Sequence, residues 1–127
     1  MPFSRHLFEI NTDTGSQVIT GSSFFGAIMQ TRWVPTTGDT GADLNLTLLP
    51  NDSDTGDGWQ FATYSNLGSQ FTKSPTQPMH LSDGDAAGSD PDTQPGVPIV
   101  AAGDRIKVEV VPGGAAVAGR LYVWTGE

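Results

Sequence analysis

The chain has 127 residues, no cysteine and a formal net charge of −8, with eleven Asp and three Glu against six Lys and Arg. That length bounds it to one domain. The missing thiols exclude disulfides, thiolate metal sites and a Cys nucleophile, and the acidity opposes binding to nucleic-acid phosphates. Gly (16) and Pro (9) make up about a fifth of the residues, against a usual share of about 12%. Such a composition suits many turns and penalises long helices, while 36% hydrophobic residues and eleven aromatics supply a core. The excess of Asp over Glu points the same way, because Asp favours turns and Glu favours helices.

In chain order, the N-terminus has no long apolar run and no cationic leader, so neither a signal peptide nor a membrane span is expected. Leu7 to Ile10 forms a first short strand, closed by the turn Asn11 to Gly15, and Gln17 to Thr20 a weak second. Ser23 to Val34 is longer, with Gly26 marking a bulge or a close backbone approach. After the loop Pro35 to Gly41, the run Ala42 to Leu49 alternates with Leu44, Leu46 and Leu48 inward and Asn45 and Thr47 outward. Beyond Pro50 to Gly58, further strands are predicted at Trp59, Phe61 and Tyr64, at Phe71 and Thr72, and at Gln77 to Leu81. Residues 82–96 read as one long loop of Asp, Gly, Ser and Pro, and Val97 to Ala101 leads out of it. The most regular stretch closes the chain. Ile106, Val108 and Val110 alternate with Arg105, Lys107 and Glu109, then Pro112-Gly113-Gly114 intervenes, and Leu121 and Val123 alternate with Tyr122 and Trp124. Period-two alternation with β-branched residues marks half-buried strands, and this stretch is predicted to be a terminal hairpin. The whole reads as a single-domain, all-β protein (residues 1–127), a β-sandwich or jelly-roll-like body of about seven to nine short antiparallel strands with long Gly/Asp/Pro loops.

Residues that could carry chemistry are sparse. Asn51, Asp52, Asp54 and Asp57, and again Asp83, Asp85, Asp90 and Asp92, gather oxygens that calcium would accept. The glycine is misplaced for a calcium loop and no bidentate Glu follows, so these read as solvated turn aspartates. His6 and His80 are too few for zinc. No Gly-x-Ser-x-Gly elbow singles out a serine, the glutamates Glu9, Glu109 and Glu127 suggest no catalytic pair, and Gly113-Gly114 opens no helix for a phosphate. The expectation is a chain with no catalytic residues, no cofactor and no metal, and no enzyme. Trp33, Trp59, Trp124, Tyr64 and Tyr122 are the candidate recognition aromatics. Tyr122 and Trp124 share the parity opposite Leu121 and Val123, which places them on an outer face. A subunit interface is the preferred reading of that pair, and a sugar-stacking platform the alternative.

Gly103 to Trp124 resembles the closing hairpin of the small virion proteins of tailed bacteriophages, and Arg32-Trp33-Val34-Pro35-Thr36-Thr37-Gly38-Asp39-Thr40-Gly41-Ala42-Asp43-Leu44 has the same character; among these proteins are capsid decoration, or cement, proteins. The likeness spans about a third of the chain and carries no residue over by position. It implies a stoichiometric structural part, made in the host cytoplasm and placed on the capsid surface, that binds and stabilises the major capsid protein lattice. It further implies a homo-oligomer, a trimer before other forms, without direct nucleic-acid or membrane contact. On that reading residues 1–8 form an extended arm with Phe3, Leu7 and Phe8 as apolar anchors, residues 82–96 a second reaching segment, and Tyr122 and Trp124 an interface pair. The alternatives are a carbohydrate-binding or receptor-binding module, and a head–tail or tail component.

Overall fold

Nine strands appear in the computed structural model, which describes residues 3–12, 15–50, 58–78 and 96–126. They are β1 (Phe3–Thr12), β2 (Gln17–Thr20), β3 (Phe24–Thr37), β4 (Asp43–Leu49), β5 (Trp59–Ser65), β6 (Phe71–Lys73), β7 (Thr76–Pro78), β8 (Gly96–Val111) and β9 (Val117–Gly126). All pair antiparallel in one open sheet ordered β1-β9-β3-β8-β4-β5, with β2 and β7 also on β8 and β6 on β3. The protein is therefore all-β and sandwich-like, because this sheet doubles over on itself. The first layer is β1-β9-β3, continued by β6 and by the first half of β8. The second is β2, the last half of β8, β4 and β5.

β8 belongs to both layers. Its residues Ile99 to Asp104 pair with β3, and Arg105 to Val111 pair with β4. The changeover falls at Gly103, whose φ of 87° is a left-handed conformation that costs an L side chain energy and a glycine none. The sequence reading divided this run at Gly103 into a lead-in and a hairpin arm. The structure keeps one bent strand.

The closing stretch is not a hairpin. β8 and β9 alternate as expected, with Ile106, Val108, Val110, Leu121 and Val123 all buried, yet no backbone pairing joins the two strands. β9 lies between β1 and β3 in the first layer, whereas the end of β8 lies between β2 and β4 in the second. Their apolar faces meet across the core, and Pro112 to Ala116 crosses the roughly 10 Å between layers. Alternation reveals which side chains turn inward and says nothing about whether two strands lie side by side or face to face. Gly113 is pinned within this crossing. Its N–H donates to Asp39 Oδ2 at 2.8 Å while the Gly41 N–H donates to Oδ1 at 2.9 Å. A Cβ on Gly113 would sit 2.5 Å from the Gly41 backbone, so only glycine permits this approach.

The N-terminal segment also differs from expectation. Phe3 to Thr12 pairs residue for residue with β9 from Gly126 to Val117, so the described part of the expected arm is a strand of the first layer. β9 offers ten residues of ladder, and pairing along that length outweighs the weak apolar signal of Phe3 to His6. β3 likewise runs on through Pro35. The β6 ladder ends at Trp33 and the β9 register shifts at Pro35/Thr37, so the missing proline N–H is tolerated.

One core cluster draws Phe8 and Ile10 from β1, Phe24, Ile28 and Trp33 from β3, Leu44, Leu46 and Leu48 from β4, and the inward residues of β8 and β9. Each such side chain contributes about 1.5–3 kcal/mol on burial. Trp33 is fully buried, and its Nε1–H donates to the Leu67 carbonyl at 3.0 Å, satisfying the one polar atom on that side chain.

Candidate functional site

Residues that alternate with the core on β1, β9 and β3 are brought by register onto the outer face of the first layer. β1 sets Arg5 opposite Trp124, Leu7 opposite Tyr122 and Glu9 opposite Arg120. On the other flank, β3 sets Gln30 opposite Trp124, Arg32 opposite Tyr122 and Val34 opposite Arg120. Tyr122 and Trp124 stand two residues apart on the central strand and stack on each other, with centroids 5.7 Å apart and planes inclined by 24°. Guanidinium groups reach them diagonally from both sides. The Arg5 Cζ lies 5.3 Å from the Tyr122 ring centroid and that of Arg32 5.6 Å from the Trp124 centroid. Each contact is worth about 0.5–1 kcal/mol at an exposed site. Arg32 Nε–H also donates to Thr72 Oγ1 on β6 at 3.3 Å. Arg120 makes a loose, exposed pair with Glu9 at 3.8 Å. Three of the four arginines in an acidic chain therefore share one face.

The same face is apolar at one end. Phe25 is 70% exposed, Phe3 63%, Val100 63% and Met29 42%. Ala27 pairs with both Gly126 and Val100, joining β9, β3 and β8 in one surface. The Phe3 ring lies over Gly126, where an added Cβ would come within 3.1 Å of it and 3.5 Å of Met29 Cγ. Leu7 extends this surface along β1. Large apolar side chains held outward on a rigid sheet are characteristic of protein-contact surfaces, especially when aromatics and arginines accompany them.

Where the first layer ends, Ser4, His6, Ser23, Phe24, Phe25, Thr125 and Gly126 line a cleft of about 270 Å³. His6 Nε2 lies 3.2 Å from Thr125 Oγ1, and the imidazole tilts against Phe24 with centroids 5.3 Å apart. Partial burial pushes the His6 pKa below its ordinary 6.5.

Of the residues expected at an interface, Phe3, Leu7, Tyr122 and Trp124 are brought together on this face. Phe8 is not. It is 4% exposed and packs in the core, because it has the parity of Ile10, opposite to Leu7. Among the recognition aromatics, Trp33 and Tyr64 are core residues, and Trp59 packs against Phe61 on β5, away from the face. The sequence reading missed Arg5, Arg32, Phe25, Met29 and Val100. The adjacent Phe24-Phe25 pair was a usable signal, since neighbours on a strand point to opposite sides and both cannot be buried in a one-sided layer. Among the described residues, no three His, Asp or Glu side chains gather to hold a metal. His80 and the clusters Asn51 to Asp57 and Asp83 to Asp92 lie outside the described residues. Compared with protein families, curated proteins and solved structures, the chain finds no match.

Proposed function

We propose that this chain is a virion structural protein, a decoration protein that docks on the major capsid protein of a tailed phage and stabilises the shell by adhesion. The observation that carries the adhesive part is the outer face of β1-β9-β3. Phe3, Leu7, Phe25, Met29 and Val100 are exposed there around the Arg5–Tyr122–Trp124–Arg32 cluster. Aromatic side chains on a rigid support lose little conformational freedom on binding, and aromatic and arginine anchors dominate the energetics of protein contacts. The virion setting rests on the likeness of Arg32 to Leu44 to small phage virion proteins, because the likeness of Gly103 to Trp124 is to a closing hairpin and its two strands do not pair. Heads of the encoding phage are expected to carry the chain in stoichiometric copies and to melt at lower temperature when it is stripped. Heads that never contain it would overturn the reading, and copies found at the neck or tail would reassign it to that part of the particle.

A glycan-binding module is the second reading, favoured by the exposed Tyr-x-Trp pair. Sugars stack on free ring faces, whereas these rings face each other and carry guanidinium groups. That arrangement favours a protein partner. Glycan-array binding lost on Trp124→Ala would reverse the preference.

A further inference from the structure

We propose that β1 is a self-complementary edge through which two copies of this chain pair antiparallel, about a two-fold axis at Leu7, with Arg5 of each copy opposite Glu9 of the other. Among the described residues β1 pairs only with β9, and it does so over Phe3 to Thr12 without a register shift. Natural edges are commonly blocked by a bulge, a proline or an inward-pointing charge. β1 has none of these, since Arg5 and Glu9 both point outward.

The direction of the free backbone groups follows from one hydrogen bond. Asn11 N–H donates to Gln17 Oε1 at 2.8 Å, away from β9. Amides alternate sides along an antiparallel strand, so those of Phe3, Arg5, Leu7 and Glu9 also point off the sheet. Gln17 closes the edge at Asn11, and among the described residues no strand other than β9 pairs with the stretch before it.

The side chains on that stretch are arranged symmetrically. Arg5 and Glu9 lie two residues either side of Leu7, all three on the outer face. Antiparallel pairing centred on Leu7 sets Leu7 against Leu7, and Arg5 against Glu9 twice. On the inner face it sets His6 against Phe8. Opposite charges directly across a ladder stabilise it and like charges destabilise it. Sliding to the neighbouring in-phase registers sets Arg5 against Leu7 or Asn11 and loses both charge pairs, while a slip of one residue turns the apolar sides the wrong way. The centred register exchanges roughly six main-chain hydrogen bonds and gives the isologous contact most common among soluble oligomers. It is two-fold, unlike the trimer that the phage resemblance implies. It uses the strand edge and shares only Arg5 and Leu7 with the proposed docking face, so oligomeric state measured without capsids tests it separately from docking.

Light scattering and native mass spectrometry from micromolar to millimolar protein test it. The wild type is expected to approach twice 13.4 kDa. Leu7→Pro removes an outward N–H that β9 does not use, a position where edge strands accept proline, and is expected to leave a folded monomer. Arg5→Glu is expected to weaken the dimer by about tenfold, and adding Glu9→Arg to it is expected to restore association. If Leu7→Pro fails to fold, the charge-reversal pair still decides. A wild type that stays monomeric, a trimer, or a dimer indifferent to both Leu7→Pro and Arg5→Glu would overturn the proposal.

Discussion

The two layers are built on the same alternation, yet their outer faces differ in kind. On the second layer, the residues alternating with Leu44, Leu46, Val108 and Val110 are Asp43, Asn45, Lys107 and Glu109, and Asn45 Nδ2 donates to Glu109 Oε1 at 3.2 Å. That face is mainly polar, with Val18 and Val111 as its exposed apolar residues. On the first layer, the same parity yields Leu7, Tyr122, Trp124 and Arg32, with Phe3, Phe25 and Val100 beyond them. Folding requires only one apolar side per layer. The first layer's outer face carries the larger apolar surplus over what folding requires, Phe3, Leu7, Phe25, Met29 and Val100 against Val18 and Val111 on the second, and there partner contact is expected.

Substitutions should separate the inner and outer sides of the first layer. The largest effect is expected inside. Trp33→Ala leaves a cavity and strands the Leu67 carbonyl, and should lower unfolding free energy by about 3–5 kcal/mol in urea titration. Gly119→Ala should follow, by about 1–3 kcal/mol, because its Cβ would lie 2.6 Å from the Val34 carbonyl oxygen and 2.7 Å from the Trp33 ring. On the outer side of the same strand, Trp124→Ala should cost only about 1 kcal/mol in the same titration, from the lost stacking and Arg32 contact. If the proposed docking function holds, it should nevertheless abolish capsid binding in co-sedimentation. Equal losses of stability at Trp33 and Trp124 would erase the distinction between the two sides.

The smallest effect is expected from pH, again at the first layer. Because burial depresses the folded pKa of His6, the unfolded chain takes up the proton first. Its contribution to stability is constant above about pH 6.5 and declines as pH falls through that value toward the lower folded pKa. Melting curves of wild type and His6→Gln should diverge across that window and run parallel above it. Tyr64 behaves in the opposite sense at the other end of the scale. Burial raises its pKa above 10.0, so stability should decline as pH rises through that value, and Tyr64→Phe should remove the decline.

The inward residues of β4, β8 and β9 were legible in the sequence because one-sided burial imposes a period of two that needs no partner to be seen. Pairing was not legible in the same way. Val108 and Val123 show the same alternation whether their strands adjoin or oppose each other, and only the bend at Gly103 and the crossing pinned at Gly113 decide between these. Tyr122 and Trp124 could be assigned to an outer face by parity. That Arg5 and Arg32 lie over them could not be read, since it depends on the registers of β1 and β3 against β9. The length of β1 was hidden for a similar cause: Ser4, Arg5 and His6 carry no strand signal of their own and extend because ten residues of β9 lie alongside.

The continuity of β8 through both layers has a mechanical consequence. A loop joining two sheets can stretch before either sheet feels a load, but here tension entering at Val100 on the outer face passes along one covalent strut, around Gly103, into the ladder with β4. Neither layer can peel away without shearing hydrogen bonds in the other, so the body should resist force and give way as a unit, as a rivet does.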